Sequence, residues 1–263
     1  IPPLPAIIAH KNILTSPTQI FLETVKAAGS TVIGITGSKG KSTTSALLYE
    51  ILKAARKDVF LVGNIGEPAI AHLKDARKDT IFVHEMSSYQ LQYLTVSPDT
   101  AVVTAFFPEH LDYHASTPLG TGGSPLENYL HAKKNIARFQ SASDEIYFNA
   151  RSDACKDIAS ESKGRKHPFS EVDAPLELEE TQLKGVHNLS NIAVAFLVSE
   201  QFGVRDEVAI DVIKKFHGLP HRLETVCKRD GIEWVDDSIS TTPESAIAGL
   251  DALGDAVQTI ILG

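Results

Sequence analysis

The sequence predicts an α/β protein built on a mostly parallel sheet with helices on both faces. Three observations carry that prediction. From Thr31 onward, short β-branched runs alternate with segments of helical apolar period. A glycine-rich turn, Gly34-Ile35-Thr36-Gly37-Ser38-Lys39-Gly40-Lys41-Ser42-Thr43, joins the first such run to the first such helix. The composition, 43% hydrophobic and 22% charged over 263 residues, is that of an ordinary globular chain of one large domain or two smaller ones.

Taken in order, residues 1–28 are punctuated by proline and hold one expected helix near Thr18 to Ala28. Strands are expected at 31–36, 58–62, 80–85, 100–105 and 145–149, and helices at 41–55, 67–74, 88–94, 126–140 and 152–160. Short strands and turns follow over 166–184, then apolar helices from Asn188 to Phe202 and Asp206 to Phe216. After His217-Gly218-Leu219-Pro220 the character changes to a hairpin, Arg222 to Lys228 and Gly231 to Asp236, turning at Arg229-Asp230-Gly231. A helix over Pro243 to Leu253 and a strand at 258–262 then open a second α/β unit. Thr117 to Pro125 is rich in glycine, proline and threonine and reads as a loop.

The glycine-rich turn has the chemistry of an anion site. Glycines let successive backbone N–H groups converge on a phosphate, and the following helix adds its unpaired donors and positive dipole end. Lys41 is placed to reach the β- and γ-phosphates and the Ser42 hydroxyl to ligate Mg²⁺. The strict P-loop has glycine where this chain has Ile35, and Gly37 supplies it instead, giving T-G-x-x-G-K-S. A plain βα turn is the alternative; the coincidence of strand, turn, Gly-Lys-Ser and helix favours nucleotide.

Charge and cysteine content narrow the classes. A net charge of −8 argues against a general nucleic-acid or membrane-surface role, though local lysines and Mg²⁺ can still receive an anionic substrate. Cys155 and Cys227 lie far apart, which fits a reducing cytosol and gives neither a zinc nor a disulfide framework. No apolar run approaches the roughly 18 residues of a membrane span. The start lacks an initiator Met and a signal-peptide pattern, and the chain stops on a strand-like run, so it is expected to be a piece of a longer protein.

Five further constellations follow. Gly63-Asn64-Ile65-Gly66 sits after the second strand, as a plain turn or as donors aimed into the cleft at the strand ends. Glu85 ends a buried strand, where a carboxylate needs a partner and a metal would be one. Glu109-His110-Leu111-Asp112-Tyr113-His114 offers acids and imidazoles to a metal or a phosphate, or is structural. Lys133 and Lys134 lie on a helix, where lysines are ordinarily solvated. Asn188, Asn191 and Asp237 either cap helices and turns or read a purine edge and a ribose.

In this order the motifs TGSKGKST (36–43), GNIGEPA (63–69), HEMSSYQL (84–91), EHLDYH (109–114), NYLHAKKNI (128–136), GVHNLSNIA (185–193), GLPHRLE (218–224) and DDSISTTPES (236–245) resemble those of the Mur ligase family, in its glutamate-adding branch. The resemblance covers nearly the whole chain. It implies a tail of an N-terminal UDP-binding domain over 1–28, a central ATP-binding domain over 29–217, and the start of a Rossmann-like C-terminal domain over 218–263. It implies that ATP phosphorylates the alanyl carboxylate of UDP-N-acetylmuramoyl-L-alanine and that the amine of glutamate attacks the acyl phosphate, in cytoplasmic peptidoglycan precursor synthesis by a monomer.

The resemblance also implies roles. Gly37, Ser38, Lys39, Gly40, Lys41, Ser42 and Thr43 bind the ATP phosphates. Ser42 and Glu85 hold one Mg²⁺ and His110 helps hold a second. Lys133 matches a carbamylated lysine, and Lys41, Lys133 and His110 are the catalytic set. Asn64 lies near the UDP-sugar, Asn188 and Asn191 near the adenine, and His221, Arg222 and Asp237 line the nucleotide. Thr117 to Pro125 reads as an insertion ahead of the Lys133 helix. The resemblance implies D-glutamate as the amino acid added; Ile239, where many members have lysine, resembles a variant subgroup and leaves L-glutamate as the alternative. Two other readings stay open: a folylpolyglutamate synthase-like ligase, and a nucleotide-binding module without ligase chemistry.

Overall fold

The computed structural model describes residues 15–115, 123–240 and 243–261. The first fourteen residues, Ser116 to Gly122 (which hold most of the expected insertion, Thr117 to Pro125), Thr241-Thr242 and the last two residues lie outside the described residues.

Helix α1 (Pro17–Ala27) begins as its sequence dictates. The Ser16 hydroxyl accepts the Gln19 N–H, and Pro17 occupies the first turn, where no N–H is needed. Its buried face of Phe21, Leu22 and Val25 lies against the sheet. Strand β1 (Thr31–Thr36) leads to α2 (Lys41–Ala54), then β2 (Val59–Gly63), β3 (Ile81–Glu85), the short α3 (Ser88–Leu91) and β4 (Thr100–Val103). Next come α4 (Leu111–Ala115), α5 (Pro125–Arg138), β5 (Glu145–Asn149), α6 (Asp153–Ser160), β6 (Arg165–Phe169), α7 (His187–Gln201) and α8 (Asp206–Lys215). The expected helix at 67–74 is instead a 3₁₀ turn over Ala69–Asp75, entered from Pro68, whose backbone is extended rather than helical.

The six strands pair in the order β2-β3-β1-β4-β5-β6, all parallel. Parallel sheets need both faces covered, and the alternating side chains of β1 show how. Val32 joins the layer of α1, α5 and α6; Ile33 and Ile35 join the layer of α2, α7 and α8. The chain runs from β1 outward to β2, back to β3, and then crosses β1 to reach β4. The strand order therefore reverses at β1, and ligands of open α/β sheets bind beyond the strand ends at such a point.

Beyond α8 the hairpin forms as expected, β7 (Glu224–Arg229) with β8 (Ile232–Asp236), antiparallel and turning at Asp230-Gly231. Helix α9 (Pro243–Leu253) follows. The expected strand at 258–262 does not form over its described residues, 258–261. A strand exists only by pairing, these residues have no ladder partner among the described residues, and Ile261 is left 81% exposed.

One core residue is anomalous. His84 on β3 is fully buried, its ring is edge-on to Phe21 with centroids 5.4 Å apart, and neither ring nitrogen has a hydrogen-bond partner among the described residues. Burial lowers its pKa from 6.5 to about 3, so the native imidazole is neutral. The unfolded chain then binds the extra proton between those two values: this contribution to stability is complete above pH 6.5 and is lost as pH falls toward 3. Denaturant unfolding at pH 7 and pH 4 measures it. The loss on acidification should shrink by about 2–3 kcal/mol in His84→Leu, and an unchanged loss would show that His84 does not set the acid limb.

Candidate functional site

The site is built on the turn between β1 and α2. Gly37 has φ of 151°, and a Cβ there would come within 2.1 Å of the Thr104 hydroxyl. Gly40, the residue capping α2, has φ of 85°, and a Cβ there would strike the Asn191 side-chain oxygen at 2.3 Å. Both positions need glycine, for conformation and for space. The loop is fastened from beneath. The Ser38 N–H donates to Ala105 O at 2.6 Å, the Thr104 hydroxyl donates to Lys39 O at 2.6 Å, and Ser38 Oγ accepts the Phe107 N–H at 2.8 Å. The amides that would hold phosphate are thus fixed before any ligand arrives.

Three lysines approach this loop. Lys41 folds over it and donates to Ser38 O at 2.8 Å. Its pKa is lowered, first by burial, against the opposing pull of the Glu85 and Glu109 charges. Lys39 Nζ lies 2.7 Å from Glu109 Oε1 and donates to Ser245 Oγ at 2.7 Å. Lys133 comes from α5, whose Ser124 cap and Pro125 start fix its first turn at the end of the insertion. Lys133 is 1% exposed, donates to Gly37 O at 2.8 Å and to Thr36 Oγ1 at 3.3 Å, and sits 4.8 Å from the Tyr129 ring centre. The Tyr129 hydroxyl in turn meets Ser38 Oγ at 2.9 Å. Burial, then the neighbouring Lys41 charge, drives the Lys133 pKa well below its ordinary value. A buried amine with a depressed pKa is a nucleophile rather than a counter-ion.

Lys134, its neighbour, behaves differently. It pairs with Asp157 at 2.9 Å and Glu161 at 3.3 Å, and although burial opposes it, those two carboxylates raise its pKa.

The acidic side of the site is Glu85, fully buried at the end of β3. Its Oε1 accepts the Asn64 side-chain amide at 3.0 Å; its Oε2 is buried with no hydrogen-bond partner among the described residues. A buried carboxylate oxygen left open is costly unless a cation takes it. Glu85 and the Ser42 hydroxyl in the first turn of α2 are hard oxygen donors of the type that Mg²⁺ prefers, so their chemistry fits that ion. His110, with φ of 56°, is exposed and leans on Tyr89 at 5.3 Å between ring centres. Partial burial of the ring lowers its pKa, the charges of Lys41, Lys133 and Lys39 add to that, and Glu109 opposes them.

The other expected site residues have partners within the chain or an open polar atom. Asn64 holds Glu85, by the side-chain bond above and by its own N–H to Glu85 O at 3.1 Å. Asn188 and Asn191 form a buried chain: Asn191 Nδ2 donates to Asn188 Oδ1 at 2.9 Å, and Asn188 Nδ2 donates to Lys184 O at 2.7 Å. These amides brace the loop from below through Gly40. His221 pairs with Asp236 at 2.6 Å, which raises the imidazole pKa and lowers that of Asp236 to about 2. Asp237 turns inward, accepting the Leu223 N–H at 3.1 Å and the Ser240 hydroxyl at 2.6 Å. Arg222 is half-buried, and its Nε has no partner among the described residues. Sequence reasoning gave no role to Tyr129, Thr104 or Ser245. Tyr129 was findable, since it lies one helical turn before Lys133 on the same face; Thr104 and Ser245 carry no local signal.

A likeness to known proteins agrees with this geometry. The family described as the Mur ligase middle domain matches residues 35–176. A UDP-N-acetylmuramoylalanine–D-glutamate ligase of Symbiobacterium thermophilum is 35% identical over 88% of the chain and 54% of its own length. One of the same name from Acetivibrio thermocellus is 35% identical over 99% of the chain and 58% of its own length. The chain thus spans little more than half the length of the curated relatives it matches. Among solved structures, the MurF ligase of Thermotoga maritima in complex with ADP superposes with a TM-score of 0.70 at 22% identity, over 90% of this chain and 60% of that one, a likeness of fold. With a glycine loop braced from beneath, a buried lysine against it and that family match over more than half its residues, the chain belongs to the Mur ligase family.

Proposed function

We propose that this chain is the ATP-handling part of a ligase that joins glutamate to the alanyl carboxylate of UDP-N-acetylmuramoyl-L-alanine. The observation that carries the reading is the placement of Lys133 under Gly37, with Glu85 and Lys41 around the same loop. The names of the relatives support the acceptor and favour D-glutamate; Ile239 leaves L-glutamate as the other outcome. Residues 1–28, 29–217 and 218–263 are assigned to a preceding, a central and a following domain. The exposed apolar side chains of Val226, Ile232, Trp234 and Ile247 on the hairpin and α9 support further packing there. No helix among the described residues is long and apolar enough to cross a membrane, and we assign the enzyme to the cytoplasm, as a monomer.

In this reading the loop amides and Lys41 hold the phosphates of ATP, and the acceptor carboxylate attacks the γ-phosphorus, expelling ADP. The amine of glutamate adds to the acyl phosphate, and the tetrahedral adduct expels phosphate to leave the amide. Two anions must be brought together, so the fixed donors and cations of the site lower the barrier by neutralising charge in place. The neutral Lys133 amine adds to CO₂, forming an N–C bond and releasing one proton, and so becomes an anion at the same position. Mg²⁺, two ions in all, would be held by Ser42, Glu85, His110 and that carbamate and would neutralise phosphate oxygens.

Two measurements test this. Lys41→Ala should weaken binding of Mg-ATP to the chain by about 2–4 kcal/mol, as loss of a phosphate-facing cation does; unchanged binding by calorimetry would remove the assignment. In the full-length ligase, Lys133→Ala should lose most of the UDP-N-acetylmuramoyl-L-alanine-dependent turnover and regain part of it with a small added carboxylate. Lys134→Ala, whose side chain faces Asp157 and Glu161, should behave nearly as wild type. Full activity of Lys133→Ala in bicarbonate-free buffer contradicts the carbamate role.

A further inference from the structure

Among the described residues, the loop residue Lys39 reaches across to α9. Its ammonium is shared between Glu109 Oε1, at 2.7 Å, and the hydroxyl of Ser245 on α9, at 2.7 Å, 206 residues along the chain. An ammonium has three donors, so these two contacts leave one N–H for a further acceptor. Lys39 also adjoins the phosphate loop by position, between Gly37 and Gly40, and its charge acts on Lys41.

Helix α9 is held at the same place from its other sides. Gly249 packs so closely on Asp237 that a Cβ would lie 2.8 Å from its carboxylate, and Gly185, which precedes α7, would place a Cβ 3.0 Å from that of Ala252. Asp237 itself clasps Leu223 and Ser240. The helix is thus seated between the hairpin and the start of α7, and its first turn meets the phosphate loop through Ser245 and Lys39.

We propose that Ser245 and Glu109 are positioning residues that aim Lys39 at bound polyphosphate, and that this shared cation couples the seating of α9 to nucleotide binding. The inference rests on the nucleotide reading of the loop. Ser245 and Glu109 remove the rotameric freedom of a long side chain before the ligand arrives, so the phosphate meets an oriented donor. By linkage, a phosphate that tightens Lys39 in this position must stabilise the Ser245 contact, and with it α9, by the same factor.

ADP is the probe. The wild-type chain, Ser245→Ala, Lys39→Met and the double variant are compared by calorimetry and by amide hydrogen exchange over 246–253. Ser245→Ala should weaken ADP roughly three- to ten-fold, the effect of one lost orienting hydrogen bond. Lys39→Met should weaken it at least as much, and adding Ser245→Ala to it should change nothing further. ADP should slow exchange in α9 of the wild type several-fold and leave it unchanged in Lys39→Met. Wild-type binding of ADP with no change in α9 exchange, or a Ser245→Ala effect that persists in the Lys39→Met background, overturns the coupling alone. No ADP binding by the wild type overturns the nucleotide reading and the coupling with it.

Discussion

The site depends on the burial of one amine beneath one backbone turn. Lys133 reaches Gly37 O only because the turn has no side chain at Gly37 and because Thr104 and Ala105 close it from the neighbouring strand end. These contacts from within the chain fix the turn. A larger residue at Gly37 would push against Thr104, lift the loop and separate the phosphate amides from Lys133. The topology supplies what the turn needs: β1 lies centrally, β4 lies beside it, and α5 descends on the far face.

Charge at the site is unbalanced in a directed way. Lys39, Lys41 and Lys133 crowd the loop, yet burial drives the last two toward the neutral amine, while Glu85 keeps an open oxygen. Stability alone would select neither a buried lysine nor a buried open carboxylate, since each is destabilising without a partner. Their joint presence around a glycine-rich turn is understandable if the partners are a polyphosphate and a divalent cation. Lys134, one residue on, shows the ordinary alternative: paired to two carboxylates and charged.

Much of the fold was legible because its signals are local. The β-branched runs, the glycine turn and the capped helices lie within a few residues of their causes, and β1 to β5 and the hairpin form where they were expected. The site was legible as a list of residues and less so as an arrangement. Asn191 touches Thr44 across 147 residues, and Asn64 turns to Glu85 across 21, so nothing near either asparagine announces its partner. From the sequence each is expected to lie near a ligand; within the chain Asn64 bonds Glu85, and Asn191 bonds Asn188 and Thr44. The strand expected at 258–262 shows the same limit from the other side, since β-propensity gives no strand without a neighbour to pair with.

The central claim is that Glu85 keeps one carboxylate oxygen for a cation that joins it to bound phosphate. Calorimetric binding of ADP with and without Mg²⁺, in the wild type and in Glu85→Gln, tests it directly, because the glutamine oxygen can still accept from Asn64. The account predicts that Mg²⁺ tightens ADP about ten-fold or more in the wild type and much less in Glu85→Gln, with metal-free binding preserved. An equal tightening by Mg²⁺ in both proteins would contradict it.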